Sequence, residues 1–364
     1  MSSTAVQESQ VNAAERRAKG EFVRGVSGCR NFISADEGAE FPPEPNRYHL
    51  FIAYNCPWCH RAALARALHG LEDSISVDVC FPNRTLDDDP AGAGLWEFNP
   101  TRVASLTGAP LPECTSERAT GKGFRLVKEI YEFCGVTDEK SVPILFDKKT
   151  KEIVNNESAE IIRMLSQHSV ALGGKRAKPE MYPIDDNPGS AELRKAIDEL
   201  NEITYVGINN GAYKAGFSSD QAVYAQAFQT YFAVLDTLEE KLKDDERPFL
   251  LGFQMTEADL RLFPTLYRHD PVYYVRMKLN GARILDYPYL WRWLCRMYQA
   301  EGVAESSPLV HCRQGYFGRS WNNVVPLGPM KPMPYPEAYF HPELSPLPNR
   351  TTATAPSSGA PGKL

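Results

Sequence analysis

The chain has 364 residues and a mass of 40.8 kDa, a length suited to two ordinary domains rather than one small core. Apolar residues make up 43% and charged residues 24%, a balance that excludes a wholly disordered chain. Forty Lys and Arg against 46 Asp and Glu leave a net charge of −6, which gives the whole chain no electrostatic reason to seek nucleic acid or an anionic membrane.

No apolar run reaches the length of a transmembrane helix, and the first 20 residues lack an apolar segment of the secretory kind. The expectation is therefore a soluble cytoplasmic protein with no membrane partner. Eight cysteines stand at 29, 56, 59, 80, 114, 134, 295 and 312. A disulfide framework is not expected in such a chain, and Cys56 and Cys59 are its one close pair.

Residues 1–20 read as a polar tail. Tyr48 to Tyr54 is a short apolar, aromatic run and predicts a buried strand. A helix follows from Cys59 and ends at Gly70. Residues 74–81 alternate and predict a second strand, after which 82–125 form a Gly-, Pro- and Asp-rich insertion. Residues 142–146 and 152–156, joined by a polar turn, predict a hairpin, and 157–168 a closing helix. The order over 21–170 is β-α-β, a connection, then β-β-α. Gly and Pro gather in a linker at 171–190. From 191 to about 325 the pattern is helical. Its best segment is Gln221 to Leu242, where Tyr224, Phe228, Tyr231, Leu235, Leu238 and Leu242 build one stripe. Ser218 with Gln221 predicts its capping box, and Thr256 with Asp259 predicts another. Arg283 to Gln299 reads as one further helix. The last 40 residues carry 10 of the 28 prolines, so 326–364 reads as an extension, disordered after about 345.

Asn55-Cys56-Pro57-Trp58-Cys59-His60-Arg61 lies where a strand ends and a helix begins. Unpaired N–H groups and the partial positive charge of a helix N-terminus favour a thiolate, so Cys56 is the candidate nucleophile. Cys59 lies one turn on, within disulfide reach. A thioredoxin-like redox site is the leading reading. A c-type haem attachment, a zinc site and two inert core cysteines are the competing ones. Ser141-Val142-Pro143 opens a strand, where Pro143 is either an ordinary trans residue or a cis one that exposes the Val142 backbone to a peptide ligand. Asn155-Asn156-Glu157-Ser158 opens a helix whose N–H groups and Ser158 hydroxyl suit a ligand carboxylate, with Glu157 suited to an ammonium; a plain helix cap has the same pattern.

Taken together, these motifs resemble the glutathione transferases, and more narrowly their Xi class, the glutathionyl-hydroquinone reductases. The strings that carry the resemblance are FVRGVSGCRNFI, RYHLFIAYNCPWCHR, SVPILFDKKTKEIVNNESAEIIRML, NNGAYKAGF, TEADLRLFPTL with HDPVYY, and LDYPYLWRWL, spread over about residues 20–335. The resemblance implies a thioredoxin-like N-terminal domain followed by an all-helical C-terminal domain, and a homodimer. It implies that Cys56 is the catalytic nucleophile and that glutathione is a co-substrate, with no metal. Val142 would pair with the glutathione backbone beside a cis Pro143, Glu157 and Ser158 would hold the γ-glutamyl end, and Trp96 would pack on the tripeptide. Tyr213, Tyr316 and Tyr273 would contact an aromatic, quinone-derived substrate. The implied reaction is reduction of S-glutathionyl-hydroquinones through a Cys56–glutathione mixed disulfide. An omega-like thiol transferase or dehydroascorbate reductase, and a non-catalytic binding protein on the same fold, are the alternatives. The family usually has Ala where this chain has Cys59, which makes Cys59 a candidate resolving thiol.

Overall fold

The structure, a computed structural model, describes residues 16–176, 180–185, 187–243 and 247–318. The expected C-terminal extension at 326–364, and most of the polar N-terminal tail, lie outside the described residues.

Strand β1 (Tyr48–Ile52) is buried along its whole length, as a largely apolar run in the middle of a sheet is. Its neighbours explain why. Strand β2 (Ser76–Val79) runs parallel to it with His49 opposite Ser76, and β5 (Ile144–Asp147) runs antiparallel with Leu50 opposite Leu145. Strand β6 (Glu152–Asn155) completes the order β2-β1-β5-β6. Between β1 and β2 lies helix α1 (Pro57–Leu68), which starts at a proline whose missing N–H would have been unpaired there in any case. Gly70 ends it at φ +65°, where a Cβ would stand 2.8 Å from the Arg176 backbone nitrogen, so the conformation and the space both require glycine.

The connection after β2 holds more order than its composition suggests. It contains a two-residue hairpin of β3 (Val103–Ala104) and β4 (Ala109–Pro110), then helix α2 (Val127–Phe133), which the predicted order β-α-β, β-β-α lacks. Helix α2 is short and has no polar residue at its cap. Instead the Glu129 carboxylate accepts the Leu126 N–H at 2.7 Å, and Val127, Ile130 and Tyr131 are buried at the i, i+3, i+4 spacing. Helix α3 (Ser158–Gln167) follows β6 and packs beside α1. The unit is thioredoxin-like.

The rest of the described chain is helical: α4 (Pro188–Thr204), α5 (Gly211–Phe217), α6 (Gln221–Lys241), α7 (Glu257–Tyr267), α8 (Pro288–Gln299) and α9 (Leu309–Phe317). Helix α4 begins inside the expected linker, with Asn187 as its cap. The predicted cap of α6 is corrected: Asp220, not Ser218, accepts the Val223 N–H at 2.9 Å. The carboxylate simply stands one residue from the first helical position, where it reaches the third N–H. The predicted helix over 283–299 is also corrected, since Pro288 removes an N–H and only a single 3₁₀ turn at Ile284–Asp286 precedes α8. Of the α6 stripe, Tyr231, Leu235, Leu238 and Leu242 are buried, while Tyr224 and Phe228 are half-buried. Helix α7 packs across α1, and one continuous apolar core joins the sheet, α1 and the helical region. Among the described residues no helix is long and apolar enough to cross a membrane.

The turn into α7 is tied by Asp259, which is wholly buried. Its carboxylate accepts the N–H groups of Leu250 and Thr256, both at 2.9 Å, and the Trp293 indole N–H at 2.8 Å. Asp259→Ala leaves those three buried donors without an acceptor. The expected loss is roughly 3 kcal/mol of unfolding free energy, read by chemical denaturation. A change within about 0.5 kcal/mol, the range of an ordinary surface substitution, would show that the carboxylate is dispensable.

Candidate active site

Cys56 is the last residue before α1. Its backbone is extended, at φ −79° and ψ 120°, so its side chain faces the open end of the helix. The Trp58 and Cys59 N–H groups at the helix end, the Cys59 thiol and the positive charge of Arg268 all favour the ionised sulfur, although the helix end makes no capping hydrogen bond to that side chain. Burial by itself would raise the Cys56 pKa. The three donors and the arginine outweigh it and bring the thiol down to about 6. Cys59 has the opposite fate. It is fully buried, and burial together with the negative sulfur next to it holds its pKa well above the ordinary thiol value. Both thiols are free. Cys59 thus stays protonated beside Cys56.

Arg268 comes from the C-terminal end of α7 and is wholly buried. It donates to the Tyr54 carbonyl at 2.6 Å, the Asn55 carbonyl at 3.2 Å and the Pro264 carbonyl at 2.7 Å. A fourth bond, at 2.8 Å, goes to His60 Nδ1. An arginine can only donate, so Nδ1 is the lone-pair nitrogen and the other ring N–H is given to Ser307 Oγ at 2.8 Å. Burial and the neighbouring Arg268 charge push the His60 pKa well below its usual value. With both nitrogens of His60 so engaged, the haem reading of CPWCH has no free axial ligand here. No group of three or more His, Cys, Asp or Glu side chains gathers for a metal among the described residues.

A cavity of about 660 Å³ opens beside Cys56. Of the residues singled out in the sequence, Cys56, Trp96, Val142, Tyr213 and Tyr316 line it, whereas Cys59, Pro143, Glu157, Ser158 and Tyr273 do not. The Val142–Pro143 bond is cis, and the Val142 carbonyl lies 3.8 Å from the Cys56 sulfur. Glu157 caps α3, accepting the Ala159 N–H at 3.0 Å and the Ser27 hydroxyl at 3.1 Å. Ser158 is buried and takes a hydrogen bond from Arg61 at 3.4 Å. The Arg61 guanidinium lies 4.5 Å from the Trp58 ring centre, and Trp58 faces the cavity, so Ser158 is linked to the cavity wall through that stack.

Three phenols meet on the helical side. The Tyr213 and Tyr316 hydroxyls are 2.6 Å apart, and the Tyr273 hydroxyl reaches Tyr316 at 3.1 Å from a fully buried position. Burial raises the pKa of all three, with the neighbouring phenols adding to it for Tyr273 and Tyr316 and the Cys56 charge for Tyr213. They remain hydrogen-bond donors at neutral pH. Phe22, Arg24, Asn55, Trp58, Arg84 and Arg276 also line the cavity, and sequence reasoning gave none of them a site role, although Asn55 and Trp58 stand in the CPxC motif. Arg24 stands within the FVRGVSGCRNFI string, which was the available signal; nothing local marks Arg276 or the buried Arg268.

The sulfur donor of Cys59 makes a direct test. Alkylation of Cys56 by iodoacetamide, followed against pH, is expected to show a midpoint near 6. In Cys59→Ala the lost S–H donor should move that midpoint upward. An unchanged midpoint would leave the backbone N–H groups and Arg268 as sufficient causes.

Comparison with known proteins follows this geometry. Residues 55–168 match the family model for the glutathione S-transferase N-terminal domain and residues 221–296 that for the C-terminal domain. The chain is 36% identical over 321 residues to glutathionyl-hydroquinone reductase PcpF of Sphingobium chlorophenolicum, covering 86% of this chain and 92% of that one. It is 38% identical over 316 residues to glutathionyl-hydroquinone reductase YqjG of Escherichia coli, covering 85% and 88%. An omega-like glutathione S-transferase of Schizosaccharomyces pombe is also 38% identical, covering 88% and 96%. Among solved structures, the Xi glutathione S-transferase of Phanerochaete chrysosporium superimposes with a TM-score of 0.73 at 36% identity, covering 85% and 98%. The glutathione-bound structure of YqjG does so at 0.71 and 36%, covering 84% and 94%. The chain belongs to the glutathione S-transferase family, within its Xi class.

Proposed function

We propose that this protein is a glutathione-dependent enzyme that reduces S-glutathionyl-hydroquinones to free hydroquinones. The observation that carries the reading is the meeting, in one cavity, of an acidified Cys56 and a cluster of protonated phenols. The relatives named glutathionyl-hydroquinone reductase support it. A thiolate is the nucleophile for exchange at sulfur, and a flat, oxygen-bearing ring is the substrate that a tyrosine-lined wall suits.

In the first step the Cys56 thiolate attacks the sulfur that joins glutathione to the ring. A Cys56–glutathione disulfide forms as the carbon–sulfur bond breaks. The bonding pair passes to the ring, where the ring oxygens share the charge, and the ring carbon takes up a proton. The ring is thereby reduced by two electrons and leaves as hydroquinone. The thiolate of a second glutathione then attacks the mixed disulfide, releases oxidised glutathione and restores Cys56. Val142, Trp96, Glu157 and Ser158 hold the tripeptide in this reading. Tyr213 and Tyr316 donate to the ring oxygen, and Tyr273 acts through Tyr316 as a positioning residue, since its hydroxyl reaches that residue from behind. Cys59 serves first as the donor that acidifies Cys56. As a resolving thiol it opens a dithiol route beside the monothiol one, the mixed disulfide being held next to it.

The decisive experiment mixes the purified protein with glutathione and an S-glutathionyl-hydroquinone and measures free hydroquinone. Cys56→Ser is expected to lose nearly all turnover, because a serine hydroxyl stays protonated; wild-type turnover in that variant would remove the mechanism. Tyr213→Phe is expected to cost roughly 3 kcal/mol in kcat/KM with the hydroquinone substrate, the worth of one donor to developing charge, and to spare reduction of a small disulfide. Equal losses on both would assign Tyr213 to the fold or to the tripeptide site. Cys59→Ala should retain most hydroquinone release; a dead variant would make dithiol chemistry obligatory.

A further inference from the structure

The charge of the cavity is one-sided. Arg24, Arg84 and Arg276 line it, and no Asp or Glu does among the described residues. Arg84 belongs to the thioredoxin-like side, where its guanidinium lies 4.4 Å from the Trp96 ring centre. The other two arginines bracket the phenols. Arg24 stacks against Trp58 at 4.4 Å and against Tyr213 at 4.7 Å. Its Nε donates to Asn210 Oδ1 at 3.2 Å, but its Nη2 is buried and has no hydrogen-bond partner. Arg276 stands at the exposed rim beside Phe217, with Nε donating to the Tyr316 carbonyl at 3.1 Å.

Nearby cations outside the cavity are treated differently. Lys214 is paired with Glu21 at 2.9 Å, and Arg16 is bonded to the same carboxylate. Lys214 and Arg16 are thus neutralised by Glu21, whereas Arg24 and Arg276 face the cavity with no carboxylate bonded to them among the described residues. A neutral ring beside Tyr213 would leave the Arg24 and Arg276 guanidinium groups without a counter-charge, whereas an anionic oxygen would meet them with a charge-assisted bond.

We propose that the aromatic part of the substrate carries an anionic oxygen substituent, a carboxylate in the simplest case, received by Arg24 and Arg276 beside the ring that Tyr213 and Tyr316 hold. This inference rests on the reading that the site takes an S-glutathionyl aromatic, and it narrows that class to acidic rings. Arg24 and Arg276 would then set which ring is accepted, while Cys56 sets what is done to it.

The test uses stable thioethers, so that it does not depend on hydroquinone chemistry. S-benzylglutathione and its 3- and 4-carboxylated forms are compared as competitive inhibitors of the reduction of the mixed disulfide of glutathione and 2-mercaptoethanol. One carboxylated form is expected to bind about tenfold more tightly than the neutral compound, the effect of one charge-assisted hydrogen bond. The preference should shrink in Arg24→Gln and in Arg276→Gln, return in part in the corresponding Lys variants, and weaken with added salt. Equal inhibition by all three thioethers overturns the inference, as does a preference that survives in both Gln variants. Should Arg24→Gln not fold, Arg276→Gln and the salt dependence of the wild type decide it. Failure of the hydroquinone reading looks different: the inhibitor preference is present, yet no hydroquinone is released from its glutathione conjugate.

Discussion

Arg268 is a full positive charge held out of water, and no carboxylate among the described residues is bonded to it. Burying such an ion costs several kcal/mol unless its donors are met. Here they are met by carbonyls at the end of β1, by its own helix and by a neutral His60. The consequence is geometric first. The turn that presents Cys56 is clamped from the helical region, so the reactive turn and helix α7 cannot be placed independently. The consequence is also electrostatic, because Cys56 is an anion within reach of a charge that lacks a counterion. The residue that clamps the turn thus also adds to the local effects that lower the Cys56 pKa.

The pair Cys56 and Cys59 shows how closely spaced groups of one kind are driven apart. Both sulfurs suffer burial, which by itself disfavours both thiolates. The helix end supplies N–H donors to the first sulfur, and once that one ionises the second is kept protonated and becomes a donor in turn. Cys59 itself is fully buried.

The cavity divides along the same line as the fold. The strand-and-helix unit contributes Cys56, Val142 and Trp96, whose positions follow from a strand end, a hairpin start and the connection after β2. The helical region contributes Tyr213, Tyr316 and Arg276, and the N-terminal segment lays Phe22 and Arg24 between them. Cys56 thus stands at the end of a central strand, and the opposite wall is assembled from elements far apart in the chain.

Much of this was legible from residues alone. The strand Tyr48–Ile52, the hairpin at β5–β6, the CPxC turn at a helix start and the Thr256–Asp259 cap are all written in local patterns, because backbone hydrogen bonding, helix-end donors and alternating burial act between residues close in sequence. The helix α2 was missed because its cap is a leucine and its signal lies beside a stretch rich in Gly and Pro. The break before Pro288 and the choice of Asp220 as the α6 cap were decided by one residue each, at the resolution where pattern reading is weakest. What the tertiary structure alone decided is the electrostatic character of the site. The pKa of Cys56 depends in part on Arg268, more than two hundred positions away, and the positive charge on the cavity wall depends on Arg24 and Arg276 reaching the cavity that Tyr213 and Tyr316 line. Coulombic interactions act through space and not along the chain, so they take their value only once the fold has set the distances.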